Sequence, residues 1–453
     1  MRKILFLKLF ALLAILTLSC ENMIEVDLPN SQVNREDVFK DLSTTKAALS
    51  SIYTNARESQ FLSKRANGIH YTLSLYTDEL TYLGSATNNF YNNSLQGDSK
   101  EVSLWWNDVY RHIYVINAFI EGLSQSNYID KTIKQQLLGE AITLRALHYH
   151  YLVQLYGDTP FTRSTDYNSN KTISRKPYAE VLFEIEQDLT QAISLLSDQY
   201  RDSKRFYINK AVAELLLAEN YLLQGKFDLA QLYSQKIVDN NLYQIEKDLS
   251  KTFKKTSKGT IWQISPELET NITYEAELYI FNDLADNTSV VSDQLLSSFT
   301  DTDLRKKHWL RQINSKGKSL YTVYKYKNKT NNTDEHSIFF RIEQAYFILA
   351  ESLLKQNKIP QAAQVLNEIK TSRGITPVSP NVSSADMTSE LIQESSKEFF
   401  TELGQRFFLL KRFNKLDQLR VNKPNWETYH NLFPIPERQL QINKNLNPQN
   451  DGY

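Results

Sequence analysis

A single cysteine, Cys20, stands in 453 residues, so no disulfide framework can hold the fold together. Net charge is missing as well. The 52 Lys and Arg balance 52 Asp and Glu, and without a basic stripe there is no field to gather nucleic acid. There is no glycine-rich phosphate loop, no Gly-x-Ser-x-Gly elbow and no thiolate candidate away from the N-terminus. The seven histidines, His70, His112, His148, His150, His308, His336 and His430, are scattered. His148 and His150 diverge on a helix instead of sharing a face, so neither a metal site nor a cofactor is expected. Recognition of a neutral partner is the direction these absences leave open.

Rings are what the chain has in quantity: 12% of it is aromatic, with 26 Tyr. Together with a mean hydropathy of -0.46, this marks a chain that is neither disordered nor membrane-filling. The first twenty residues form a separate unit. Arg2, Lys3 and Lys8 precede the apolar run Phe10 to Leu16, continued by Thr17 and Leu18, and Ser19 then meets Cys20. The run is too short to span a bilayer but has the form of an export signal, with Cys20 placed for lipid attachment. The usual bacterial lipoprotein signal carries Leu three residues before its cysteine; here Thr17 holds that place and Leu16 lies one residue earlier. The reading divides the chain into a signal at 1–19, a lipidated cysteine and polar tether at 20–42, and one folded domain at 43–453. A diacylglycerol group plus a further acyl chain at Cys20 would give stable attachment where one chain is marginal.

The folded part is organised around two similar stretches. In the first, a helical run from Ala211 to Leu223 meets Gln224, Gly225 and Lys226 and restarts at Phe227. In the second, Ala350, Glu351, Leu353 and Leu354 repeat Ala218, Glu219, Tyr221 and Leu222, and Ala362 follows Ala350 at the same 12-residue distance that separates Ala230 from Ala218. Amphipathic helices joined by a tight turn, with small residues at the crossing, are the pattern of a tetratricopeptide hairpin. Further helices are expected at Ser43 to Tyr53 with Ser43 as cap, Trp105 to Leu123, Lys134 to Tyr156, Pro177 to Leu196 and Ser389 to Leu410. On the last of these, Glu394, Glu398, Glu402 and Arg406 fall at four-residue intervals, which predicts a shared face and a Glu402–Arg406 pair or, with Phe399, Phe400, Phe407 and Phe408 beside the ladder, charges that clamp neighbouring segments. Arg145 is expected to satisfy carbonyls at a helix end. The tail after this helix is expected to be extended.

Two segments break this rhythm, 62–103 and an insertion at about 252–333, the latter with short strands expected at Thr260 to Ile264 and Leu320 to Lys327. Rings beside amides in such segments suit a polar ligand with apolar faces, because Tyr or Trp stacks while Asn donates and accepts hydrogen bonds. The candidates are Tyr82, Asn88, Phe90, Tyr91, Tyr274, Tyr279, Asn287 and Trp309. Asp78 and Glu79 adjoin the first segment. Neighbours in an extended strand point apart, so they are a poor catalytic pair and a better anchor for loop geometry.

Four stretches then resemble the SusD/RagB family of surface nutrient-binding lipoproteins of Bacteroidetes. They are Leu144 to Pro160, Trp106 to Tyr110 with Asn117, Phe340 to Glu351 followed by Glu398, Phe399, Glu402, Gly404, Arg406 and Arg412, and the closing stretch Leu432 to Pro436 with Asn443, Asn447, Pro448, Gln449, Asn450, Gly452 and Tyr453. The resemblance implies a mostly α SusD-like fold with tetratricopeptide-like hairpins on one side and an irregular ligand-binding region with short strands on the other. It implies a lipid-anchored protein at the outer-membrane surface that captures a glycan and delivers it to a SusC-like TonB-dependent barrel without catalysis. A peptide-binding member of the family and a lipid-anchored helical glycoside hydrolase are the alternatives. The chain departs from the family pattern at Leu403, between Glu402 and Gly404, and at Asp451, and neither departure is expected to touch a ligand.

Overall fold

The computed structural model describes residues 35–63, 65–284, 288–315 and 317–453. The signal, Cys20 and Asn287 lie outside these described residues. Helices of eight residues or more are α1 (Leu42–Arg57), α2 (Ile69–Tyr76), α3 (Lys100–Gln125), α4 (Lys131–Tyr156), α5 (Tyr178–Leu195), α6 (Lys210–Leu223), α7 (Phe227–Val238), α8 (Ile342–Lys355), α9 (Ile359–Ser372), α10 (Ser384–Phe399) and α11 (Gln405–Arg412). Asp41, not Ser43, caps α1: its carboxylate accepts from Ser43 N at 2.8 Å and Thr44 N at 3.0 Å. From Gly139 to Tyr156 every residue of α4 is buried, which marks it as the central helix that others wrap. Gly157 ends it at φ +71°.

The two hairpins close through the same turn. Gln224, Gly225 and Lys226 join α6 to α7, and Gln356, Asn357 and Lys358 join α8 to α9. The middle residue is left-handed in both, Gly225 at φ +71° and Asn357 at +58°, since glycine and asparagine tolerate that region best. Ala218, Ala230, Ala350 and Ala362 are fully buried where the helices cross. The hairpins stack on one another, with Gln356 Nε2 donating to Phe227 O at 3.2 Å and Lys358 Nζ to Gln231 Oε1 at 2.9 Å. Arg145 does not satisfy carbonyls. It grips Asp188 of α5 at 2.7 and 2.9 Å and Asn117 of α3 at 2.9 Å, so one guanidinium locks three helices.

The irregular side carries three two-stranded antiparallel ladders. β1 (Leu80–Tyr82) pairs with β3 (Ser289–Val291), β2 (Thr260–Gln263) with β6 (Ile338–Arg341), and β4 (Leu310–Ser315) with β5 (Lys318–Val323). Because β6 runs directly into α8, the β2–β6 ladder fastens the middle segment to the second hairpin. The tail is not simply extended, for it contains the short helix Glu437–Ile442 and several 3-10 turns.

The long late helix expected from Ser389 to Leu410 is broken. α10 stops at Phe399, and Thr401, Leu403 and Gly404 take φ +58°, +49° and +66° before α11 begins. A Cβ on Gly404 would meet Leu73 Cδ1 at 2.2 Å, so close approach of α2 as well as backbone sign requires glycine there. Glu402 and Arg406 therefore do not pair. Glu402 bonds Lys325 and, at 2.8 Å, Arg341 Nε, while Arg406 grips Asp78 at 2.9 and 2.8 Å.

Glu398 on α10 sits at the middle of a fully buried charge network. It receives Arg305 Nη1 at 3.2 Å, Arg341 Nη1 at 2.6 Å and Arg373 Nε and Nη2 at 3.1 and 2.7 Å. Asp303, Glu343 and Glu394 complete the pairing of the three guanidiniums. Removing one member of a buried ion cluster strands the others without water, at about 3 to 5 kcal/mol, whereas exposed pairs contribute about 0 to 1 kcal/mol. Glu398→Gln is therefore expected to lower stability by several kcal/mol in urea unfolding, and Lys40→Ala, from the exposed Lys40–Asp37 pair, by less than about 1 kcal/mol.

Candidate ligand-binding cavity

The irregular segments, with the end of α1 and the break after α10, enclose an open cavity of about 460 Å³. One wall is the end of α1 with the turn after it, from Arg57 to His70; a second is Ile264 to Tyr279; a third is Val323 to Tyr326 with Glu335 to Phe339. Its floor is the break between α10 and α11, at Thr401, Glu402 and Leu403. These walls lack periodicity because side chains, not ladders, satisfy much of their backbone. Glu335 accepts from Lys327 N at 2.9 Å and Asn328 N at 3.0 Å, and Asn332 Nδ2 donates to Asn271 O at 2.7 Å. The short helix Tyr274–Tyr279 is capped by Thr273, whose hydroxyl accepts from Ala276 N at 3.1 Å.

Most charges in the walls are already matched. Glu58 pairs with Arg57 at 2.9 Å and accepts from the Tyr274 hydroxyl at 2.9 Å; Glu277 pairs with Arg65 at 2.9 Å; Glu335 pairs with Lys254 at 2.9 Å. Lys325 places its ammonium against Glu402, Glu398 O and Phe400 O, and burial pulls its pKa down to about 8. Burial likewise lowers His70 and His336 to about 4, so both imidazoles are neutral at physiological pH. Beneath the floor, buried Glu79 accepts from Thr401 N at 3.3 Å, and burial lifts its pKa to about 7 despite nearby Arg406. Asp78 and Glu79 thus tie the start of β1 to α11 and to the floor.

The residues singled out from the sequence fall into three places. Tyr274 and Tyr279 line the cavity. Tyr82 and Tyr91, both half-buried, form a tilted pair with centroids 6.1 Å apart; Asn88 holds that loop by accepting from Tyr91 N at 3.0 Å. Tyr71 joins the two groups, because its ring lies 6.2 Å from that of Tyr279 and its hydroxyl 2.6 Å from Ser289 Oγ, opposite Tyr82 in the β1–β3 ladder. Phe90 and Trp309 lie elsewhere. Phe90 is buried against Trp105 and Phe433. Trp309 is fully enclosed, flanked by Phe253 and Phe400, with Nε1 donating to Leu249 O at 3.2 Å.

Several lining residues had no signal of their own in the sequence. His70 and His336 attracted attention only as metal ligands, and among the described residues no group of three or more His, Cys, Asp or Glu is arranged to hold a metal ion. Glu275 sits between the two tyrosines singled out, and its alternation with Tyr274 was the one available cue. Leu403 was expected to be remote from any ligand, yet it lines the cavity; the positive φ that ends α10 turns it toward the opening.

Residues 28–222 match a family model described as starch-binding and associating with the outer membrane, and residues 305–453 match the SusD family model. The SusD-like protein P25 of Formosa agariphila is 22% identical, covering 96% of this chain and 97% of that protein. A SusD superfamily protein from Bacteroides vulgatus superimposes with a TM-score of 0.80 at 16% identity over 92% of this chain and 100% of that one. The surface glycan-binding protein A of Bacteroides thetaiotaomicron, in complex with laminarihexaose, does so with a TM-score of 0.76 at 16% identity over 90% and 99%. No described helix is long and apolar enough to cross a membrane.

The Glu79 environment gives a pH prediction. Its folded pKa of about 7 lies above the ordinary 4.5, so the folded state holds the extra proton, and that contribution is full below the ordinary value and lost as pH rises through about 7. Wild type is expected to lose up to about 3 kcal/mol between pH 4.5 and 8 relative to Glu79→Gln, as read from urea midpoints of both at each pH.

Proposed function

The chain belongs to the SusD/RagB family, and from that premise we propose that it is a cell-surface lipoprotein that captures a glycan and delivers it to a SusC-like TonB-dependent barrel. The observation that carries this reading is the placement of the cavity. Its walls are mostly non-periodic segments, and the buried ring of Tyr71, 6.2 Å from that of Tyr279, links it to the strand pair that carries Tyr82 beside Tyr91. A sugar offers apolar faces to rings and hydroxyls to amides and carboxylates, and both kinds of partner line the cavity, Tyr274, Asn271 and Glu275 among them. Tyr82, Tyr91, Tyr274 and Tyr279 are the proposed stacking and edge contacts, each contributing about 1 kcal/mol beyond its buried area. The glycan ligand named for the Bacteroides relative supports the same class.

Function then consists of affinity and handover. Of the six carboxylates in the cavity walls, Glu58, Glu277, Glu335 and Glu402 are each held by a cation. Attachment through Cys20 would keep the folded part beside the membrane, with the barrel supplying the passage across it.

The test is titration of the full-length lipoprotein in detergent against starch, laminarin and peptide panels, with product analysis of each mixture. Saturable binding of a glycan with its chain length unchanged is expected, and Tyr82→Ala and Tyr274→Ala are each expected to weaken it about five- to tenfold. Release of shortened glycan, or binding restricted to peptides, would contradict the reading.

A further inference from the structure

Two carboxylates in the cavity walls have no cation among the described residues, the exposed Glu267 and the more deeply set Glu275. Glu275, half-buried, takes a hydrogen bond from Ser337 Oγ at 2.7 Å, and no ion pair joins it to Lys, Arg or His among the described residues, whereas Glu58, Glu277, Glu335 and Glu402 each have one. The cation nearest in character, Lys325, has its three donors directed at Glu402, Glu398 O and Phe400 O. Two further buried polar atoms in the same walls lack a hydrogen-bond partner among the described residues: His70 Nε2 and His336 Nδ1. Their residues are 5% and 3% exposed, so each is held in the wall and not swung out to bulk water. Burial of an unpartnered polar group costs stability.

A half-buried carboxylate without a counter-charge, in a cavity whose walls also hold two neutral imidazoles, is complementary to a protonated amine. An ammonium has donors only, and a carboxylate in a site of restricted solvent binds it by a charge-assisted hydrogen bond. We propose that the cavity takes an amino-sugar unit with a free amine, Glu275 pairing with the ammonium while the imidazoles meet the remaining donors and hydroxyls. This rests on the glycan-capture reading and specifies its substrate class.

The experiment is calorimetric titration of the full-length lipoprotein in detergent, near neutral pH, with a glucosamine tetramer, its fully N-acetylated counterpart, a neutral laminari-oligosaccharide and a short peptide with a free N-terminus. The glucosamine tetramer is expected to bind at least tenfold more tightly than the acetylated one, and Glu275→Gln to abolish that preference while Glu180→Gln, an exposed charge on α5, keeps it. If Glu275→Gln fails to fold, the wild-type ratio alone decides. Equal binding of the two tetramers, or tighter binding of the neutral glycan or of the peptide amine, overturns the assignment. In the neutral-glycan case glycan capture still stands; binding of no oligosaccharide at all overturns both.

Discussion

The middle segment of the irregular side is fixed to the frame through one buried carboxylate, Glu398. Arg305 and Lys325 come from the middle segment, Arg341 from the end of β6, and Arg373 from the end of the second hairpin, and all four converge on Glu398 or its carbonyl. A stretch without periodicity has few ladders to hold it, and apolar contact alone is too undirected to set its loops. Charge-assisted bonds supply direction as well as attraction. Trp309 belongs to this device. The guanidiniums of Arg341 and Arg373 lie 5.7 and 5.5 Å from its ring centroid, so the indole closes the network from water and lowers the dielectric in which the ions act.

The cavity is a consequence of that anchoring. The same Glu402 that receives Arg341 and Lys325 forms part of the floor, and the left-handed residues around it present Leu403 upward. A frame of stacked hairpins provides a rigid back, the charge network nails the loops to it, and the loops are then free to be polar on their outer side. This division of labour lets cavity side chains such as His70 and His336 remain partly unsatisfied without loosening the frame.

The hairpins were legible because their information is local. A 3.6-residue stripe, alanines at the crossings and a Gly or Asn in the turn are all visible within thirty residues. The break at Thr401 to Gly404 was not, since its cause is Leu73, more than three hundred residues away in the chain, pressing on Gly404. The ladder of Glu394, Glu398, Glu402 and Arg406 does clamp neighbouring segments, but as a network around the three glutamates and a separate grip of Arg406 on Asp78. Most strands escaped notice because three to six residues cannot display a period. Within the site, Tyr274 and Tyr279 stood out as rings in an aperiodic stretch, whereas Trp309 looked equivalent and is core. Burial, which separates them, is set by segments that the local sequence does not contain.

On this reading the protein is a tethered receptor that passes intact cargo to a channel. Isolation of the lipoprotein from native outer membranes under mild detergent, followed by mass measurement of the intact assembly, tests it most directly. The account predicts a stoichiometric complex with a TonB-dependent barrel, carrying glycan of undiminished length. Repeated recovery of the lipoprotein without any barrel, or of bound fragments in place of intact glycan, would contradict it.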